Sequence, residues 1–183
     1  EELFESNKII IRDISGKARL KATFDDKKFY AEHTVSLCVP KHLLPRKIRG
    51  GTTFLLKEIE ESKKYNLKYI LALINSRLIN FYFHLLLGGG LHVYPNDVKN
   101  LPIHNINFSN PQEKKMHDDL VKLVEKMLDL NKQIQNVSEK SDKWYSLKSE
   151  IEKTDNKIDE MVYKLYGITE KEKKIIEGEK SQK

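Results

Sequence analysis

Residues 65–102 hold the longest apolar stretch of the chain, YNLKYILALINSRLINFYFHLLLGGGLHVYPNDVKNLP. Neither Pro nor Gly interrupts 67–87, Asn66 can cap the first turn and Gly88 stops the run, so one helix is predicted there. It is apolar on nearly every side and therefore buried. Asn75, Ser76, Arg77, Asn80 and His84 are spaced three, four and seven apart and form a narrow polar stripe; Arg77, Asn80 and His84 read as internal hydrogen-bonding groups. The hydrophobic period is two before this helix and about 3.5 after it.

Residues 8–14 are rich in β-branched side chains and end at Ser15-Gly16. Ala18, Leu20, Ala22 and Phe24 then alternate with Arg19, Lys21 and Thr23, as expected of a strand with an apolar inner face and a polar, largely basic outer one. Asp25-Asp26-Lys27 turns the chain, and 29–31 and 34–39 continue it, giving an antiparallel sheet of about four strands. Residues 53–56 form a candidate further strand, followed by a short charged helix to Lys64.

In the last third, Met116, Leu120, Leu123, Met127, Leu130, Ile134 and Val137 mark one heptad seam. Trp144, Leu147, Ile151, Thr154, Ile158, Met161 and Leu165 mark a second. Asn110, Pro111 and Glu113 announce the first helix, residues 138–142 a polar turn, and Gly167 the end of the second. Thr169 with Glu172 opens a short third helix whose Ile175 and Ile176 are expected to tuck against the hairpin. The fold class is thus α+β: a small twisted β-sheet domain packed on a buried helix, followed by a long antiparallel coiled-coil hairpin. The boundaries fall at 1–110, 111–167 and 168–183.

Charge changes the picture only when it is located. The 183 residues carry a net +6, yet residues 1–110 hold 17 Lys/Arg against 11 Asp/Glu and residues 111–183 hold 16 against 16. The whole excess lies in the first part, which favours a polyanionic partner there. Lys41, His42, Arg46, Lys47 and Arg49 crowd into 40–52 without an acid; a phosphate- and base-contacting loop and an ordinary solvated loop both fit. The lone Cys38 excludes an intramolecular disulfide and a multi-cysteine zinc site, and fits a cytoplasmic protein. The acidic start, EELFES, is no signal peptide, polar residues break the only long apolar run, and the missing initiator Met points to a longer polypeptide.

Catalytic signatures are missing from the sequence. No two histidines stand at metal-ligand spacing on a helix, there is no HExxH or GxSxG, and Gly88-Gly89-Gly90 is neither GxGxxG nor a Walker loop. Tyr94-Pro95-Asn96-Asp97 has the wrong order for the catalytic loop of an aminomethylating enzyme, and no Asp lies between Asp26 and Asp97 to complete a nuclease core. The chain on its own reads as a non-enzyme without a cofactor or metal.

The run from Tyr65 to Phe83, the glycine cluster, Tyr94-Pro95, Val98-Lys99-Asn100-Leu101-Pro102-Ile103 and the segment from Ile158 to Thr169 together resemble the TaqI-like C-terminal specificity domain, as do the opening Lys8-Ile9-Ile10-Ile11-Arg12 and Thr34-Val35-Ser36-Leu37. That family supplies the target recognition domain of adenine-specific DNA methyltransferases and fused type IIG restriction-modification enzymes, and it is related to type I specificity subunits. The resemblance implies that residues 1–110 bind double-stranded DNA opposite a separate methyltransferase or endonuclease domain. Only those catalytic parts would need S-adenosylmethionine and Mg. Arg46, Lys47 and Arg49 are the first candidates for DNA contact, then Lys17, Arg19, Lys21, Lys41 and His42, with His92, Tyr94 and Lys99 as loop candidates. The hairpin is then a spacer or docking surface, or a self-contained structural arm. A non-catalytic protein-interaction scaffold and half of a type I specificity subunit are the alternative readings.

Overall fold

The computed structural model describes residues 2–13, 20–32, 34–47, 53–86 and 92–178. The fold is α+β, and the chain divides into two compact units. The first comprises Glu1–Asn75 and Ile79–Pro102, the second Ser76–Leu78 and Ile103–Lys183.

In the first unit, α1 (Glu2–Glu5) precedes a sheet of β1 (Lys8–Arg12), β2 (Ala22–Asp25) and β3 (Val35–Cys38), all antiparallel, with β1 in the centre. Alternation in KIIIR turns Ile9 and Ile11 into the core. A 3-10 turn (Lys41–Leu43), α2 (Leu56–Ser62), α3 (Leu67–Asn75), α4 (Arg77–Leu86) and α5 (Pro95–Lys99) follow. Helix α3 lies against β2 and β1, burying Tyr69, Leu71, Ala72, Leu73 and Ile74. The Lys68 ammonium sits over the Phe24 ring at 5.5 Å.

Three strands, rather than four, form the sheet among the described residues, and residues 29–31 are not one of them. The reason is Asp25. Its carboxylate accepts the N–H groups of Lys27 at 3.0 Å and Phe29 at 2.9 Å, which closes a turn with Lys28 in the left-handed region at φ 58°. Asp25 is itself gripped by the fully buried Lys8, whose ammonium also donates to the Phe4 carbonyl. The candidate strand at 53–56 is reduced to one bridge, Lys47 to Thr53, because helix α2 begins at Leu56.

Edge strands present unpaired backbone groups. On β2, Ala22 gives its N–H to Asn75 Oδ1 and takes a bond from Asn75 Nδ2 through its carbonyl, both at 3.0 Å. Just before β2, the Leu20 N–H donates to Asn80 Oδ1. The polar stripe of the apolar run thus partly covers the edge of the sheet.

The second unit is a helical hairpin. Helix α6 (Pro111–Gln135) starts at Asn110, whose side chain accepts the Gln112 N–H, and α7 (Asp142–Tyr166) at Ser141, whose hydroxyl accepts the Trp144 N–H. Each has 25 residues, ~37 Å at 1.5 Å per residue, and a short connection folds them back on each other with Lys126 paired to Glu150 across the interface. Leu120, Leu130, Leu147, Thr154, Ile158 and Leu165 of the two seams are buried, but so are His117, Val124, Val162 and Tyr163 beside them, so the packed stripe is wider than a strict heptad seam. Thr154, the polar exception, donates its hydroxyl to the Glu150 carbonyl at 2.7 Å. The capping box of Thr169 and Glu172 opens α8 (Glu170–Ile176). Ile175 does not tuck in as expected: it is 57% exposed, and only Ile176 is half-buried.

Gly167 closes α7 in the left-handed region at φ 67°, and a methyl group there would meet nothing within 4 Å. Gly167→Ala is therefore expected to cost only the conformational term, about 1 kcal/mol. A scanning calorimeter should register this as a fall of about 2–4 °C in Tm.

The single helix expected over 67–87 is broken at Ser76 into α3 and α4. Side chains take over the backbone groups that the break frees. Asn80 Nδ2 donates to the Ile74 carbonyl at 3.1 Å. Within the second unit, the Arg77 N–H donates to the buried Asp159 carboxylate at 2.8 Å, and the Arg77 guanidinium Nε lies 3.2 Å from the same group. A carboxylate at the first N–H of a helix is favoured by both the orphan donor and the helix dipole, so α4 starts there.

Candidate nucleic-acid interface

The candidate residues gather at opposite ends of the sheet. Strand β1 spans ~13 Å between Lys8 and Arg12 at about 3.3 Å per residue. At its end, the Arg12 N–H bonds the Lys21 carbonyl at 2.9 Å and the Asp13 N–H bonds the Thr34 carbonyl at 3.0 Å. Asp13 then holds the segment leading into α5, since the Val93 N–H donates to its carbonyl at 2.7 Å and to its carboxylate at 3.2 Å. His92 Nδ1 stands 3.6 Å from that carboxylate, and its ring faces the Tyr94 ring at 6.0 Å between centroids. Tyr94 is 60% exposed and opens α5, its N–H bound by Asp97 at 2.9 Å; Lys99 is exposed in the last turn of that helix. Lys21, His92 and Tyr94, from two distant parts of the sequence, are thus neighbours at this end.

The opposite end carries the basic segment that follows β3. Lys41 pairs with Glu58 at 2.9 Å and lies over the Phe54 ring at 5.5 Å. The hydrogen bond from Lys41, with a second from the Leu55 N–H, holds the Glu58 carboxyl below its ordinary pKa. The His42 N–H donates to Ser62 Oγ at 3.0 Å, and the ring Nδ1 meets the same oxygen at 3.0 Å. Since the Ser62 hydroxyl gives its proton to the Ile59 carbonyl at 2.7 Å, the ring proton is assigned to Nδ1. Both side chains therefore dock the 3-10 turn onto α2. Arg46 and Lys47 differ: both are exposed and have no acidic partner among the described residues. The Phe54 N–H closes on the Arg46 carbonyl at 2.9 Å and Lys47 bridges Thr53, so the two cations are held side by side against the segment that leads into α2. Arg49, Lys17 and Arg19 lie outside the described residues.

Two residues escaped the sequence reading. Arg12 is exposed at the end of β1, and the alternation of KIIIR already assigned it to the face opposite Ile9 and Ile11. Asp13, which orients the His92 segment, left no sequence signal because its partners are far along the chain. Cys38 is half-buried, and burial pushes its thiol pKa up, unlike a reactive nucleophile. Among the described residues, no group of three or more His, Cys, Asp or Glu could hold a metal ion, and no helix is long and apolar enough to cross a membrane.

The family model of the TaqI-like C-terminal specificity domain matches residues 1–103. The chain belongs to this family. No curated protein and no solved structure matches it. Membership gives the specificity domain a DNA-recognition role in restriction-modification systems and makes it a non-catalytic recognition module. The matched residues hold the chain's entire charge excess, 17 Lys/Arg against 11 Asp/Glu.

Proposed function

We propose that this specificity domain reads a DNA sequence and positions a separate adenine-methyltransferase or endonuclease domain on it. The observation that carries the reading is the coincidence of the family match with the charge excess in residues 1–103. Polyanion binding needs cations that the fold has not already neutralised. Arg46 and Lys47 at one end of the sheet and Lys21 at the other meet that condition, whereas Lys41 and His42 are engaged in docking. The ~13 Å length of β1 is close to the width of the major groove, about 12 Å, so the two ends can face the two rims of one groove. On this reading Arg46 and Lys47 read base edges, and Lys21, His92, Tyr94 and Lys99 hold backbone. The hairpin, nearly balanced with 11 Lys against 12 Asp/Glu over residues 111–167, supplies a spacer or a docking surface for the catalytic part. S-adenosylmethionine and Mg belong to that part and not to this chain.

The test is selection of a randomised duplex library on the whole chain at low and moderate salt, with sequencing of the retained DNA. An enriched motif is expected at moderate salt. Retention that vanishes with salt and enriches no motif would defeat the sequence-reading role of this chain.

A further inference from the structure

The end of β1 and the residue just before β2 set two cations side by side on the face of the sheet opposite Ile9 and Ile11. Ile9 and Ile11 turn into the core, so Arg12 shares the opposite face with Ile10. The register that pairs Ile10 with Thr23 and Ile11 with Ala22 continues to Arg12 opposite Lys21, joined by the Arg12 N–H to Lys21 carbonyl bond at 2.9 Å. Directly opposed residues of an antiparallel pair point to the same face with Cα atoms about 5.5 Å apart when hydrogen-bonded, and like charges so placed destabilise a sheet. Both side chains are exposed, and Ile10, Thr23, Val35 and Leu37 beside them on that face are uncharged; the acid of this face, Asp25, lies at the other end of β1 and is paired with Lys8. Nearby Asp13 is committed to the Val93 N–H and His92. Lys8 and Lys41 of the same unit are each matched by a carboxylate, but among the described residues no ion pair reaches Arg12 or Lys21.

A repulsive pair left uncompensated in a ladder is relieved by a bound anion. We propose that Arg12 and Lys21 together grip the phosphate backbone of the DNA, the guanidinium fork by paired hydrogen bonds and the ammonium as a point charge. This inference rests on the DNA-recognition reading and assigns Arg12 a positioning role that carries no sequence information.

The parent chain, Arg12→Gln, Lys21→Gln, the double variant and a Lys122→Gln control on the hairpin would be titrated with two DNA pools across a salt series. The pools are the starting library and the DNA retained by the parent. The double variant is expected to bind both pools about ten-fold more weakly at low salt, with a log–log salt slope shallower by nearly two and the ratio between pools unchanged. The single variants should melt at or above the parent's Tm, because each relieves the repulsion. A double variant that keeps the parent's slope overturns the grip while leaving DNA recognition standing, as does a loss confined to the retained pool. Melting several degrees below the parent would reassign the two cations to the fold. A parent that binds neither pool would sink the recognition reading and this inference with it.

Discussion

Asp25→Ala is expected to lower folding stability by about 3–5 kcal/mol, the usual cost of stranding a buried charge. Lys8 has a fully buried side chain in the centre strand, and its partners are the Asp25 carboxylate and the Phe4 carbonyl. Removing the carboxylate leaves an ammonium with no counter-charge and frees the Lys27 and Phe29 amides that it pins. The double variant Lys8→Met with Asp25→Leu should recover most of the loss, because an apolar pair of similar volume avoids desolvating either ion. Trp144, the sole tryptophan, sits in the hairpin. Urea unfolding is therefore better followed by circular dichroism and by hydrogen exchange of the Ile9–Ile11 amides. A loss below about 1 kcal/mol in the single variant would contradict the argument from burial.

The same residue sets an acid limb. Burial pushes the Asp25 carboxyl up, but the hydrogen bond from Lys8 and those from the Lys27 and Phe29 amides outweigh it and hold the pKa below its ordinary value. A carboxyl depressed in the folded state contributes fully above its unfolded pKa, about 4, and loses that contribution as pH falls through the folded value. Parent and Asp25→Ala should accordingly converge in stability below pH of about 4.

Asn80→Leu should cost about 2–4 kcal/mol with an unchanged urea m-value, since two buried backbone groups lose their partners at about 1–3 kcal/mol each. The amide is 3% exposed and serves both the Leu20 N–H and the Ile74 carbonyl, so it joins the approach to β2 to the break between α3 and α4. Leu keeps the branching and heavy-atom count of Asn, so no cavity is opened and the loss reports chiefly on hydrogen bonding. Asn75→Leu is the internal comparison: Asn75 is only half-buried, water can reach the Ala22 groups it covers, and its loss should be smaller. Equal midpoints for Asn80→Leu and the parent would remove Asn80 from the account of the fold.

What could be read from the sequence was local. The caps at Asn110 and Gly167, the box at Thr169 and Glu172 and the two apolar seams each involve residues within a turn or two, and each lies where its pattern put it. The features that escaped depend on partners far along the chain. Ser76 could not announce a break that rests on Asp159, nor could Phe29–Ala31 reveal that Asp25 would take the Phe29 amide. The candidate interface divides in the same way. The basic segment was legible by composition, but Lys41 and His42 lose their freedom to Glu58 and Ser62 on the following helix. Arg12 is legible from strand alternation alone, as the exposed last residue of KIIIR.

Residues Ser76–Leu78 belong to the helical unit although the chain on both sides of them belongs to the sheet unit, so the polypeptide passes between the units three times. A single crossover near residue 103 cannot exchange the recognition part between related chains cleanly. It would bring Arg77 from one parent and Asp159 from the other, and the start of α4 would then depend on a residue inherited separately. Chimeras that alter target choice inherit a compatibility rule: an acceptor at position 159 must accompany the incoming segment, or the graft begins with a helix whose first amide has lost its partner.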